Sequence, residues 1–229
     1  MADFKTHTIV AAGVSGAMTT GLLVHYQLSV PLALLFWASG TFGGILPDID
    51  SDHSTSIRLI FQLLAGISAV ITVVALHTRL PLWQLWLAGL ISFLAVYYPL
   101  RQCFASFTIH RGILHSLLAN LLFALVMIVA GYYLLDMHPW VAWGCGCFLF
   151  CGAIIHLLLD EIYSVDLAGG RLKSSFGSAL KLTQWSEPLL SVVVIGLIGG
   201  LYYLAPPDHY WLHLMEHLFA PMIHFFKSL

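Results

Sequence analysis

Residues 114–135, LHSLLANLLFALVMIVAGYYLL, contain no Asp, Glu, Lys or Arg. They form an apolar run of the length, about 20 residues, that an α-helix needs to cross a bilayer. Six further runs read the same way: residues 8–27, 30–46, 59–78, 82–100, 140–160 and 188–205. The whole chain agrees, because 59% of its 229 residues are apolar and 9% charged, where soluble domains carry about a quarter charged. Mean hydropathy is +0.89. So few charges cannot cover a water-facing surface, and the bilayer must act as the solvent. The expected fold is all-α: a polytopic integral membrane bundle of about seven transmembrane helices. Runs 30–46 and 188–205 lie near the lower length limit of roughly 17 residues, where a re-entrant or kinked segment is the alternative.

The same composition excludes other classes. Net charge is only −2 and no basic stripe is present to neutralise phosphates, so the chain is not expected to bind nucleic acid. Its hydrophobicity argues against disorder. No repeat and no Ser/Gly/Pro-rich linker divides it, so residues 1–229 are expected to form a single integral membrane domain. Lys5 precedes the first apolar run, but no small-x-small cleavage site follows near Val24 to Gln27, and this segment is expected to be retained. The tail, residues 206–229, mixes Trp211, Leu212, Leu218 and Phe225 with histidines, Glu216 and Lys227. That pattern suits an amphipathic helix lying in the interface.

Cytoplasmic loops retain an excess of Lys and Arg. With seven spans, Lys5, Arg58, Arg101, Arg111, Arg171, Lys173 and Lys181 share one face, against Arg79 and Lys227 on the other. The N-terminus is therefore expected in the cytoplasm and the C-terminus on the opposite face. The ligand-type residues fall on that same cytoplasmic side: His7 before the first span, Asp48, Asp50, Asp52 and His53 after the second, His110 and His115 at the fifth, and His156, Asp160 and Glu161 ending the sixth. Alternating sidedness could have scattered them over both faces, so their convergence points to one site.

Each piece has its own chemistry. His156 and Asp160 are four residues apart, about 40° around an ideal helix, so both can face one ion. The alternative is a histidine hydrogen-bonded within the bundle, but polar groups at membrane depth are costly and are usually functional. Asp48 and Asp50 in Leu-Pro-Asp-Ile-Asp can present hard oxygen ligands from a turn after Pro47, or form a solvated loop. A calcium loop is excluded, because His53 stands at its glycine position and Leu59 at its bidentate glutamate. His110 and His115 would lie about 140° apart on a helix, so Gly112 suggests a loop entering the span. There His115 can bind metal while His110 or Arg111 acts on substrate. Arg111 is a planar donor suited to phosphate, or equally a headgroup anchor. Mixed His and Asp ligands without Cys point to Zn, Mn, Fe or Mg. Their number exceeds the four or so that one structural zinc takes, as in a two-metal hydrolytic site.

Other features carry less. His209, His213 and His217 repeat every four residues in the tail, a rival row that the topology puts on the other face. Cys145, Cys147 and Cys151 lie inside a span and are read as packing residues. Gly13, Gly16, Gly196, Gly199 and Gly200 are read as points of close helix approach. Trp83, Trp86, Trp140 and Trp143 are read as interfacial belts. Ser116 has no nucleophile elbow around it.

Taken together, Thr6-His7, Leu46-Pro47-Asp48-Ile49-Asp50, His110-Arg111-Gly112-x-x-His115-Ser116 and His156-x-x-x-Asp160 resemble the YdjM-like predicted membrane-bound metal-dependent hydrolases of bacteria. The resemblance covers residues 6–161. Ile113 stands where that family often has Thr, a departure that touches no proposed ligand. The resemblance implies a bacterial inner-membrane protein with a metal centre similar to that of zinc-dependent phospholipase C enzymes. It implies His7, Asp48, His115, His156 and Asp160 as ligands, with Asp50 and His110 next, and zinc as the metal.

The expected function is hydrolysis of a phosphoester of a lipid or lipid-linked substrate at the cytoplasmic face, because ligands at span ends sit at headgroup depth. Two divalent ions are expected, held by His7, Asp48, Asp50, His115, His156 and Asp160. His110 or Asp50 would handle a proton while Arg111 holds a non-bridging oxygen. The alternatives are a metal or proton transporter, and a non-catalytic membrane scaffold with a structural metal.

Overall fold

The computed structural model describes residues 3–50, 55–107, 113–166, 171–172, 180–183 and 185–207. Among them are eight α-helices: α1 (Phe4–Tyr26), α2 (Val30–Gly43), α3 (Thr55–Leu76), α4 (Leu82–Ala95), α5 (Arg101–Phe107), α6 (Leu117–Leu134), α7 (Pro139–Ile162) and α8 (Pro188–Leu204). Every apolar run became a helix. Five stretches are long and apolar enough to cross a membrane: α1, α3, Leu82–Phe104, α6 and α7. Helix α2, at 14 residues, spans about 21 Å, and α8, at 17 residues, about 26 Å. Both are shorter than a hydrocarbon core of about 30 Å. Beyond Pro207, the tail expected to lie in the interface is outside the described residues.

Local chemistry sets the ends. Pro31, Pro139 and Pro188 stand in the first turns of α2, α7 and α8, where a missing N–H costs nothing. Ser116 caps α6 by accepting the Ala119 N–H at 3.3 Å, so that helix begins three residues later than the apolar run. The fourth run continues past its expected end at residue 100. Pro99 lies in a π-helical turn, Val96–Leu100, that joins α4 to α5. The wider turn accommodates a residue that cannot donate to the helical ladder. A two-residue antiparallel ladder, Val165–Asp166 with Arg171–Leu172, is the single sheet among the described residues.

The chain divides into two compact units, Met1–Ile45 with Ser116–Leu229, and Leu46–His115. In the first, α7 packs on α1, α2 and α6, and α6 on α8. Phe36 stacks on Phe148 with ring centroids 5.2 Å apart and takes the edge of Trp140 at 6.0 Å, beside buried Cys145. Lipid tails are as apolar as these side chains, so close helix approach has to come from small residues. A Cβ at Gly43 would run into the Leu149 backbone, and one at Gly152 into the Gly40 carbonyl. Among the described residues, the glycines expected to play this part meet no partner helix closely: an added methyl at Gly13, Gly196, Gly199 or Gly200 would find nothing within 4 Å, and one at Gly16 only the Trp37 ring. Sequence spacing showed glycine-rich faces but not which of them meet a partner. The tryptophans divide likewise: Trp83 and Trp86 are exposed, while Trp140 packs on Phe36 and Trp143 donates to the Pro206 carbonyl at 2.8 Å.

In the second unit α3 pairs with α4. Their contact carries a hydroxyl cluster: Ser68 and Ser92 Oγ are 2.5 Å apart and Thr72 Oγ1 donates to Ser92 Oγ at 3.0 Å.

Candidate metal centre

The first turn of α1 and the last turns of α7 meet at one end of the first unit. Asp3 caps α1: its carboxylate accepts the Thr6 N–H at 2.9 Å and its carbonyl accepts the His7 N–H at 3.1 Å. The Thr6 hydrogen bond holds the Asp3 carboxyl below its ordinary range. This cap fixes the turn that carries His7, which is 1% exposed. On α7, the i, i+4 pair His156 and Asp160 is equally buried, so one helical face presents both inward.

His7 Nε2 lies 3.2 Å from Asp160 Oδ1, and His156 Nε2 lies 3.8 Å from Asp160 Oδ2. The imidazoles of His7 and His156 are stacked, with centroids 3.6 Å apart and planes at 12°. All three ligand atoms lie within 4.8 Å of one another. On its other side His156 Nδ1 is 2.8 Å from the Gly44 carbonyl. A carbonyl only accepts, so Nδ1 carries the proton and a neutral ring keeps its lone pair on Nε2, towards Asp160.

A divalent ion fits this donor set. Neither ring nitrogen of His7 makes a hydrogen bond although the side chain is buried, and burying such groups without compensation is costly. Two ligands of a tetrahedral zinc, each about 2.0–2.1 Å from it, are about 3.3 Å apart. The His7–Asp160 separation matches that edge without being an aligned hydrogen bond. Imidazole and carboxylate donors suit zinc, and a backbone carbonyl behind a ligating histidine is the usual outer support.

The second unit brings two more of the expected residues together. Asp48 stands on a 3-10 turn, Leu46–Asp50, and His115 ends another, Ile113–His115. The turns pack on each other, with His115 Nε2 3.5 Å from Asp48 Oδ1. His115 is buried, while Asp48 is 16% exposed, which leaves the carboxylate within reach of solvent. Asp50 closes the same turn, but its side chain lies outside the described residues, as do Asp52, His53, His110 and Arg111, and the tail row His209, His213 and His217. Among the described residues, the Gly44 carbonyl is a part of the site that sequence reasoning missed. Its signal was the Gly43-Gly44 pair at the end of α2, just before Pro47.

The YdjM inner membrane protein family matches the chain over residues 1–220, well beyond the stretch that carries the His and Asp motifs. Among curated proteins and among solved structures no match is found.

Proposed function

This chain belongs to the YdjM inner membrane protein family, and we propose that it is a metal-dependent hydrolase cleaving a phosphoester of a lipid or lipid-linked substrate at the cytoplasmic face of the inner membrane. The observation that carries this reading is the buried cluster of His7, His156 and Asp160 at the ends of α1 and α7. Structural histidines in a bundle hydrogen-bond to neighbours, whereas His7 directs an unsatisfied nitrogen at a carboxylate. When bound, a divalent ion, with zinc favoured by the donor set, supplies a Lewis acid and brings the pKa of water down towards neutrality.

The chain's own residues do the rest. His7, His156 and Asp160 hold one ion, and Asp48 with His115 offers a second pair of ligands. Asp50 or His110 accepts and returns the proton, and Arg111 grips a non-bridging phosphate oxygen in its planar fork. The helix turns carrying the cluster expose Ile9, Leu158 and Ile162, side chains that belong in lipid rather than water, which favours a substrate presented from the bilayer. The excess of Lys and Arg on that side favours the cytoplasmic face, with the N-terminus there and the C-terminus opposite.

The test is turnover. Detergent-purified protein loaded with zinc or manganese is assayed for phosphate and headgroup release from phospholipids and lipid-linked phosphates. Release that disappears in the Asp48→Ala, His156→Ala double variant is expected, and turnover persisting in that variant contradicts the assignment.

A further inference from the structure

We propose that Gly44 is a positioning residue of the triad, its carbonyl holding the His156 ring in the Nδ1–H tautomer so that Nε2 faces Asp160 and His7. The inference rests on the metal-binding reading of those three residues. Gly44 caps α2 with φ −68° and ψ −11°, angles open to any residue, so glycine is not there for backbone freedom. It is there for space. A Cβ on Gly44 would strike the Ala11 Cβ of α1 and come within 3.5 Å of the His7 carbonyl. One residue earlier, a Cβ on Gly43 would collide with the Leu149 backbone of α7. The end of α2 is thus wedged between the two helices that carry the ligands, and its Gly44 carbonyl is 2.8 Å from His156 Nδ1.

This arrangement ties both histidines to one backbone atom group. The carbonyl sets the tautomer and rotation of His156, while the missing methyl lets α1 bring His7 close enough to stack on it at 3.6 Å. Outer partners of metal-binding histidines typically contribute 10–100-fold in metal affinity. Gly44→Ala should therefore weaken binding by about that factor. Ala11→Gly removes the methyl that the new Cβ would meet, whereas the other atoms near it, Thr41 O at 3.4 Å and His7 O at 3.5 Å, are in ordinary contact. The double variant should recover most of the affinity.

Cobalt(II) titration of tag-free, detergent-purified full-length protein, followed by visible absorption, reads this directly, with thermal unfolding of the metal-free protein as the fold control. Weakened binding in Gly44→Ala and recovery in Gly44→Ala/Ala11→Gly are expected. Undiminished binding in Gly44→Ala, or loss that Ala11→Gly does not restore, overturns the positioning role while leaving the metal site standing. A wild type that binds no cobalt overturns both. A second readout needs no folded Gly44 variant. The imidazole 15N shifts of His156 in metal-free wild type, assigned by their absence in His156→Asn, should report Nδ1–H, and an Nε2–H ring overturns the proposal.

Discussion

His7 lies flat on His156, ring centroids 3.6 Å apart and planes 12° from parallel, although the two residues come from the first turn of α1 and the penultimate turn of α7. The stack holds two rotatable side chains against each other beside the same carboxylate. Shape and donor chemistry can be separated here. His7→Phe keeps a ring in the stack and removes both nitrogens, so the metal-free protein should unfold within about 1 kcal/mol of wild type while metal binding is lost. His7→Ala should lose binding and also cost about 2–4 kcal/mol through the cavity it leaves. Equilibrium unfolding beside a metal titration distinguishes the two effects.

Glycine substitutions should divide by what a methyl would meet. Gly152→Ala directs a Cβ into the Gly40 carbonyl, and the α2–α7 contact should lose about 1–3 kcal/mol. Gly199→Ala faces open space on α8 and should be neutral, or stabilising by up to about 1 kcal/mol through helix propensity. Thermal unfolding of the two variants side by side checks the contrast, and equal effects would show that α2 and α7 do not approach through Gly152.

The Ser68–Ser92 contact, with Thr72 donating to Ser92, predicts a measurable bond between α3 and α4. A double-mutant cycle with Ser68→Ala and Ser92→Ala should return a coupling of about 0.6 kcal/mol and at most about 1.7 kcal/mol. Zero coupling would mean that packing alone joins these helices.

The α1 cap should respond to acid. The Asp3 carboxyl is held below its ordinary range by the Thr6 hydrogen bond. Its contribution is therefore complete above the unfolded carboxylate pKa and is lost as pH falls through the lowered folded value. Amide exchange at Thr6 and His7, taken relative to its intrinsic rate at each pH, should rise over that acidic interval in wild type. In Asp3→Ala it should already be raised at neutral pH, whereas Asp3→Asn, a comparable cap, should stay near wild type and lose the acid response.

Much of this was legible in the sequence because it depends on local rules. An apolar run of bilayer length has no alternative to helix, and all seven runs became helices. The i, i+4 spacing placed His156 and Asp160 on one face of α7. The order of the motifs along alternating spans put His7 on their side of the membrane. What could not be read depended on tertiary contact. The lengths of α2 and α8 were decided by where Gly44 and Ala205 end their helices. The packing glycines proved to include Gly40, Gly43, Gly44, Gly146 and Gly152, because a glycine reveals its partner only once the helices are in place. The support of His156 is a backbone carbonyl, an atom that every residue has and no motif marks.

Everything proposed for the site requires that His7, His156 and Asp160 hold a metal. Elemental analysis of detergent-purified, tag-free protein, wild type beside a His156→Asn, Asp160→Asn double variant, tests it most directly. At least one zinc or other divalent metal ion per chain is expected in the wild type, with its loss from a double variant that remains folded. A wild type holding no stoichiometric metal, even after incubation with zinc or manganese, would contradict it.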